Sequence, residues 1–179
     1  MPLFAPTIIF ERITCITPEF LRARGIRALI LDVDNTLTAH GSQELPSDVA
    51  AWLDVMRAAG VKLTIASNNM PGRVAPFAKR VGLDYQAFCC KPSPLGLRRA
   101  RRAMGVPRHA VALVGDQIFT DALGANLYGI PVLLVQPMQQ DTKATIRLKR
   151  ALEKPVLARY YRKGGRVHGS AKDRGAPDA

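Results

Sequence analysis

Short apolar runs alternate with amphipathic stretches along the chain. The runs at 29–33, 61–66, 110–114 and 130–135 are rich in Val, Ile and Leu, a short extended piece lies at 83–90, and all are bounded by Gly, Pro, Asn, Asp or Ser. Brief apolar runs between such breakers are the pattern of strands covered on both faces. Between them, Val49, Trp52, Leu53 and Met56 recur on one face of a helix that Ser47-Asp48 is expected to cap and that reaches Gly60. Further helices are expected from about Arg73 to Val81, where Pro76 should weaken the start, from Leu95 to Met104 with Pro94 opening and Gly105 closing it, and from Ala122 to Tyr128. The order predicts an α/β fold: a doubly wound, Rossmann-like parallel sheet of about five strands with right-handed crossovers.

Both ends depart from this rhythm. Residues 1–28 form an N-terminal arm: an apolar segment, Leu3 to Phe10, then a short helix with Thr17 as N-cap, Pro18 at the first position and Gly25 as terminator. The arm either caps the core or offers an amphipathic surface to a membrane. The main domain is expected over 27–155. From Thr142 onward eleven Lys or Arg face three acidic residues. Thr142 to Glu153 can form a helix, and the tail, 156–179, is basic and, from Gly164, polar and Gly-rich enough to be disordered.

The totals change the picture in one respect. With 26 Lys plus Arg against 14 Asp plus Glu, the 179-residue chain carries a formal charge of +12. Phosphate-bearing substrates, nucleic acid and anionic membranes are its natural partners. Cys15, Cys89 and Cys90 show no disulfide or zinc spacing and fit small buried hydrophobes in a reducing, cytoplasmic compartment. No apolar run is long enough to span a bilayer, so the protein is expected to be soluble or peripheral at the inner face of the membrane.

The candidate chemistry lies where the strands end. Asp32 and Asp34 follow the first run, and on an extended chain they share a side, close enough to share a cation or a proton. Ser67 and Asn68 follow the second run, Lys91 the third, Asp116 and Asp121 the fourth. Singly each has a bland explanation: a solvated turn, a free cation, a helix cap. In an open parallel sheet these ends converge on one crevice. Clustered carboxylates, a lysine and hydroxyl or amide donors suit phosphoryl transfer. Asp32 would be the nucleophile, Asp34 the acid and base, and Ser67, Asn68 and Lys91 the phosphate-binding groups. Mg²⁺ would sit on Asp32, the backbone carbonyl of Asp34 and Asp116. Thr36 and Asp121 would give support.

Asp32-Val33-Asp34-Asn35-Thr36, Ser67, Lys91-Pro92 and Gly115-Asp116 with Asp121 resemble the four signatures of the haloacid dehalogenase superfamily of phosphatases. They look closer still to its IIIA-type YqeG family, related to phosphatidylglycerophosphate phosphatases. The resemblance implies the same roles at these residues, and a lipid head group as substrate. The loop from Ala39 to Pro46 and the segment from Leu83 to Cys90 leave no room for the cap domain with which small-metabolite members cover their sites. A capless site admits bulky esters, so a nucleic-acid end or a phosphoprotein is the alternative substrate. RNA binding by the tail and the Arg98 to Arg102 cluster is a third reading, and it leaves the ordered carboxylates unexplained.

Overall fold

The computed structural model describes residues 3–139 and 144–169. Its strands are β1 (Ile8–Phe10), β2 (Ala28–Leu31), β3 (Lys62–Ala66), β4 (Asp84–Gln86), β5 (Val111–Gly115), β6 (Val132–Val135) and β7 (Val167–His168). Its α-helices are α1 (Pro18–Ala23), α2 (Ser47–Ala58), α3 (Pro71–Val81), α4 (Pro94–Met104), α5 (Leu123–Tyr128) and α6 (Ala144–Arg162). The strands form one sheet in the order β4-β3-β2-β5-β6-β1-β7, parallel throughout.

Alternation along the strands feeds two cores, one on each face. Leu29 and Leu31 of β2, with Ile65, Val114 and Phe10, pack under α1, α2 and α3 through Leu21, Trp52, Met56 and Phe77. Ala28 and Ile30, with Leu113, Val132 and Ile9, pack under α4, α5 and α6 through Leu97, Ala125, Val156 and Leu157. Side chains two apart share a face, so a residue two beyond Ile30 is directed to the α4 side. That residue is Asp32.

The sheet has seven strands where about five were expected. The two added strands, β1 and β7, have three and two residues, too few to show a period, and β1 finds its partner, β6, more than a hundred residues away. The N-terminal arm is thereby built into the sheet, with Thr17 capping α1 by accepting a hydrogen bond from Phe20 N at 3.2 Å. At the other end α6 continues through Pro155 to Arg162, so the boundary expected after 155 falls inside a helix. Val167 and His168, in the stretch expected to be disordered, pair with Ile9 and Phe10. The start of the expected helix at Thr142 and the last ten residues of the tail lie outside the described residues.

Three local expectations shift. Pro46, not Ser47, occupies the N-cap of α2. α3 begins at Pro71 and runs through Pro76, which lies inside the helix and gives no N–H to its ladder. Of the cysteines, all free, only Cys89 is buried; Cys15 is half-buried and Cys90 exposed.

Candidate active site

At the carboxyl ends of β2, β3 and β5 the chain turns sharply, and the polar residues gather there. β2 stops at Leu31, and Leu37 N and Thr38 N both bond back to Val33 O, closing a tight loop. Asn35 sits inside it with φ 60°, a left-handed conformation that asparagine tolerates better than most residues. The sheet ladder reaches Asp32, whose N–H donates to Val114 O at 2.9 Å, and the loop takes over before Asp34, so the two carboxylates find different partners.

Asp32 faces the α4 side. Its Oδ1 accepts from Lys91 Nζ at 2.7 Å, and the same ammonium donates to Asp121 Oδ1 at 2.7 Å. The lysine and Asp121 side chains are 2% and 1% exposed, whereas that of Asp32 is 11% exposed, which leaves it the member an incoming molecule can touch. Burial foremost pushes the Asp32 carboxyl up to about 6; the Lys91 ammonium opposes the shift and Asp121 adds to it. For Lys91, burial alone would favour the neutral amine, but the Asp121 and Asp32 carboxylates overcome it and hold the group charged, above the ordinary lysine range.

Asp34 faces the other way. Its carboxylate accepts from Arg73 Nη2 at 3.0 Å, Gly41 N at 2.8 Å and Asn69 Nδ2 at 2.5 Å. Asp34 is thus braced by α3 and the Gly41 loop, and Lys91 serves only Asp32 and Asp121 among the two groups.

The framework explains why these residues stand where they do. The Asn68 side chain clamps the Lys91 backbone, accepting from its N–H at 2.6 Å and donating to its carbonyl at 2.9 Å. The Asn68 side chain, expected to bind phosphate, is thus engaged in holding Lys91. Ser67, 2% exposed, accepts from Asn69 N at 3.2 Å and keeps a hydroxyl proton to donate. The segment before Lys91 is kinked rather than extended, with Phe88 at φ 49° and Cys90 at φ 51°. Gly115 is required: a Cβ there would lie 2.6 Å from Asp121 Oδ2. Asp121 is carried on a π-helical turn, Ile118–Ala122, and also accepts from Gln117 N at 3.2 Å. Glu153 of α6, 3% exposed, accepts from Ile118 N at 2.7 Å and so fixes the start of that turn. Thr36 is buried at the edge of a second crevice of about 410 Å³, between its loop and the ends of β1 and β6.

Sequence reasoning did not single out Asn69, Arg73 or Glu153. Arg73 carried one signal: a cation in the first turn of a helix opposes the helix dipole, which needs a compensating partner.

Asp32, Asp116 and Asp121, all buried, each present a carboxylate oxygen within 4.8 Å of the others. When ionised they carry three negative charges against the single positive charge of Lys91. An oxygen-only donor set with excess negative charge fits a hard divalent cation. Asp121 thus joins Asp32 and Asp116, while the Asp34 side chain is engaged elsewhere. A parallel α/β sheet whose strand ends hold such an acidic cleft, closed by a lysine, suits phosphoryl transfer.

The comparisons place it more narrowly. The family described as haloacid dehalogenase-like hydrolase matches residues 41–129, and that of mitochondrial phosphatidylglycerophosphate phosphatase matches residues 2–76. The chain is 33% identical over 161 residues to a probable phosphatase, YqeG, of Bacillus subtilis, covering 90% of this chain and 94% of that protein. It is 23% identical over 169 residues to phosphatidylglycerophosphate phosphatase 1 of Arabidopsis thaliana, spanning 89% of this chain and 49% of that one. Among solved structures, 4-nitrophenylphosphatase from Thermotoga maritima shares the fold with a TM-score of 0.55 at 13% identity, over 69% of this chain and 91% of that one. The chain belongs to the haloacid dehalogenase superfamily of phosphatases, in the family of YqeG. Its substrate is a phosphorylated compound. No helix among the described residues is long and apolar enough to cross a membrane.

Proposed function

We propose that this phosphatase is Mg²⁺-dependent, works through an aspartyl-phosphate on Asp32, and dephosphorylates phosphatidylglycerophosphate to phosphatidylglycerol at a membrane surface. The observation that carries the chemistry is the Lys91 ammonium held 2.7 Å from both Asp32 and Asp121, of which Asp32 is the one that solvent reaches. An Asp32 oxygen attacks phosphorus as the bond to the alcohol oxygen breaks. Asp34 gives that oxygen its proton, then takes one from the water that attacks the aspartyl-phosphate, and free Asp32 and phosphate result. Lys91, the Ser67 hydroxyl and the backbone N–H groups beside it bind the phosphoryl oxygens. Asp32, Asp116 and Asp121 would hold the cation, which when bound offsets negative charge on the nucleophile and the phosphoryl group.

The lipid substrate is supported by the match of residues 2–76 to a phosphatidylglycerophosphate phosphatase family and by the absence of an inserted domain between β2 and α2, where residues 32–46 form only a loop. Phosphate release from phosphatidylglycerophosphate in mixed micelles is the test, with and without Mg²⁺. Turnover should require the cation and fall on the order of a thousandfold or more in Asp32→Asn, whose amide is a poor nucleophile. Turnover no greater than that of the variant would sink the reading.

A further inference from the structure

The loops that carry Ser67 and Lys91, with the first turn of α4 that follows, carry three large apolar side chains facing water. Met70, Phe88 and Leu95 are 63%, 58% and 61% exposed. They are brought to one lip of the site by backbone bonds: Phe88 N donates to Asn69 O at 2.9 Å, Cys89 N to Ser67 O at 3.0 Å and Ser93 N to Cys90 O at 2.8 Å. Phe88 is the most telling of them. A bulky residue at φ 49° is strained, and leaving most of its ring in water adds a second cost. Behind the apolar tip stands positive charge. Leu95, Arg98, Arg99 and Arg102 are exposed at spacings of three, four and seven, so α4 presents an apolar head followed by guanidinium groups on one face.

We propose that this lip, Met70, Phe88 and Leu95 backed by Arg98 and Arg99, is the surface by which the enzyme docks on an anionic phospholipid bilayer. The assignment rests on the lipid reading above for its purpose, and on exposure, strain and charge for its location. Apolar side chains enter the boundary of the acyl region while the arginines meet lipid phosphates, the two contributions that together hold a peripheral protein on a charged surface. Docking there sets the mouth of the Asp32 cleft against the lipid head groups. The basic charge of the chain, +12, has the matching sign.

The test uses the full chain and vesicles of phosphatidylcholine with or without phosphatidylglycerol, some with brominated acyl chains. In Phe88→Trp the new indole should be quenched by brominated vesicles that contain phosphatidylglycerol and not by those without it. The native Trp52 lies in the core, 6% exposed, and serves as the silent control. Both the triple change Met70→Ser, Phe88→Ser, Leu95→Ser and the pair Arg98→Glu, Arg99→Glu should weaken vesicle binding on the order of tenfold or more. Hydrolysis of soluble 4-nitrophenyl phosphate should change by less than about twofold in each. If the triple variant does not fold, the Phe88→Trp quench decides. Absence of that quench, or equal vesicle binding by wild type and triple variant, overturns the proposal. So does a wild-type dimer that the triple variant converts to monomer, which would assign the lip to a second copy of the chain. These vesicles contain no phosphomonoester. Intact docking with no turnover of phosphatidylglycerophosphate would therefore sink the substrate and spare the lip, and turnover without docking would do the reverse.

Discussion

Asp32 and Asp34 stand two residues apart and live in opposite surroundings. Asp32 shares one buried ammonium with a second carboxylate, and its own carboxyl is pushed up to about 6, first by burial. Asp34 is met by three separate donors, two of them on side chains of the chain after β3. The first has fewer positive partners than negative ones and is poised to take a cation or an electrophile. The second is already satisfied and must release a donor before it can carry a proton. Spacing alone put the two carboxylates on one side, close enough to share a cation or a proton; the turn at Val33 gives them separate partners.

The strongest way to break the comparison is to remove the cation on the Asp32 side. Lys91→Met leaves Asp32 and Asp121 buried without their common partner. Turnover is expected to fall at least a hundredfold, because the group proposed to bind phosphate and to steady the nucleophile is lost. Breaking a buried pair by taking one member typically costs about 3–5 kcal/mol. Thermal melting at neutral pH should therefore show a large drop, and Mg²⁺ should restore part of it by supplying charge to the same carboxylates. A melting temperature equal to wild type without added cation would show that Lys91 does not hold this side together.

How legible this was from the chain differs between the two sides. Asp32, Lys91, Asp116 and Asp121 could be read because each interrupts or follows a hydrophobic run, and a parallel sheet brings such ends together. The brace around Asp34 could not. Arg73 reads as an ordinary surface cation in an amphipathic helix, and Asn69 as the second of two turn residues. Glu153 was hidden in a basic stretch, where one acid looks like chance. The same physics divides the sheet. β2, β5 and β6 announce themselves by continuous burial, while β1 and β7 depend on pairing partners that no local pattern reveals.

A smaller effect sharpens the electrostatic half of the comparison. The nucleophile must be ionised, so with limiting Mg²⁺ the acid limb of kcat/KM should have its midpoint near 6, the Asp32 value. Each pH unit below that should cost about tenfold. Saturating Mg²⁺ should move the limb to lower pH, since a bound cation favours the carboxylate. Stability has the opposite slope. The folded chain binds the Asp32 proton more tightly than the unfolded chain, whose aspartates titrate near 3.8, so this contribution is complete below 3.8 and disappears as pH rises through about 6. Without metal, the melting temperature of wild type minus that of Asp32→Asn should fall across that window, and Mg²⁺ should flatten the difference.

The smallest expected effect tests the brace. Arg73 donates from Nη2 to Asp34 at 3.0 Å and to Ser42 O at 2.6 Å, while its own backbone carbonyl accepts from Gln43 Nε2 at 3.0 Å, so one guanidinium ties α3 to the loop that carries Asp34. In Arg73→Ala the Gly41 N–H and Asn69 amide remain, and the carboxylate stays partly held. A charge-assisted hydrogen bond of this kind is worth about 1.5–3 kcal/mol, yet a partly exposed pair loses much of that to solvent. We therefore expect a fall of roughly tenfold in kcat with little change in KM, because Arg73 positions the acid and base without touching substrate. Arg73→Lys should recover part of the loss, since an ammonium keeps the positive charge but not the reach and planar geometry of the guanidinium. The limb of the pH profile set by Asp32 should stay where it is in both variants. A shift of that limb, or a loss as large as that of Lys91→Met, would mean that the two sides of the site are one electrostatic unit after all.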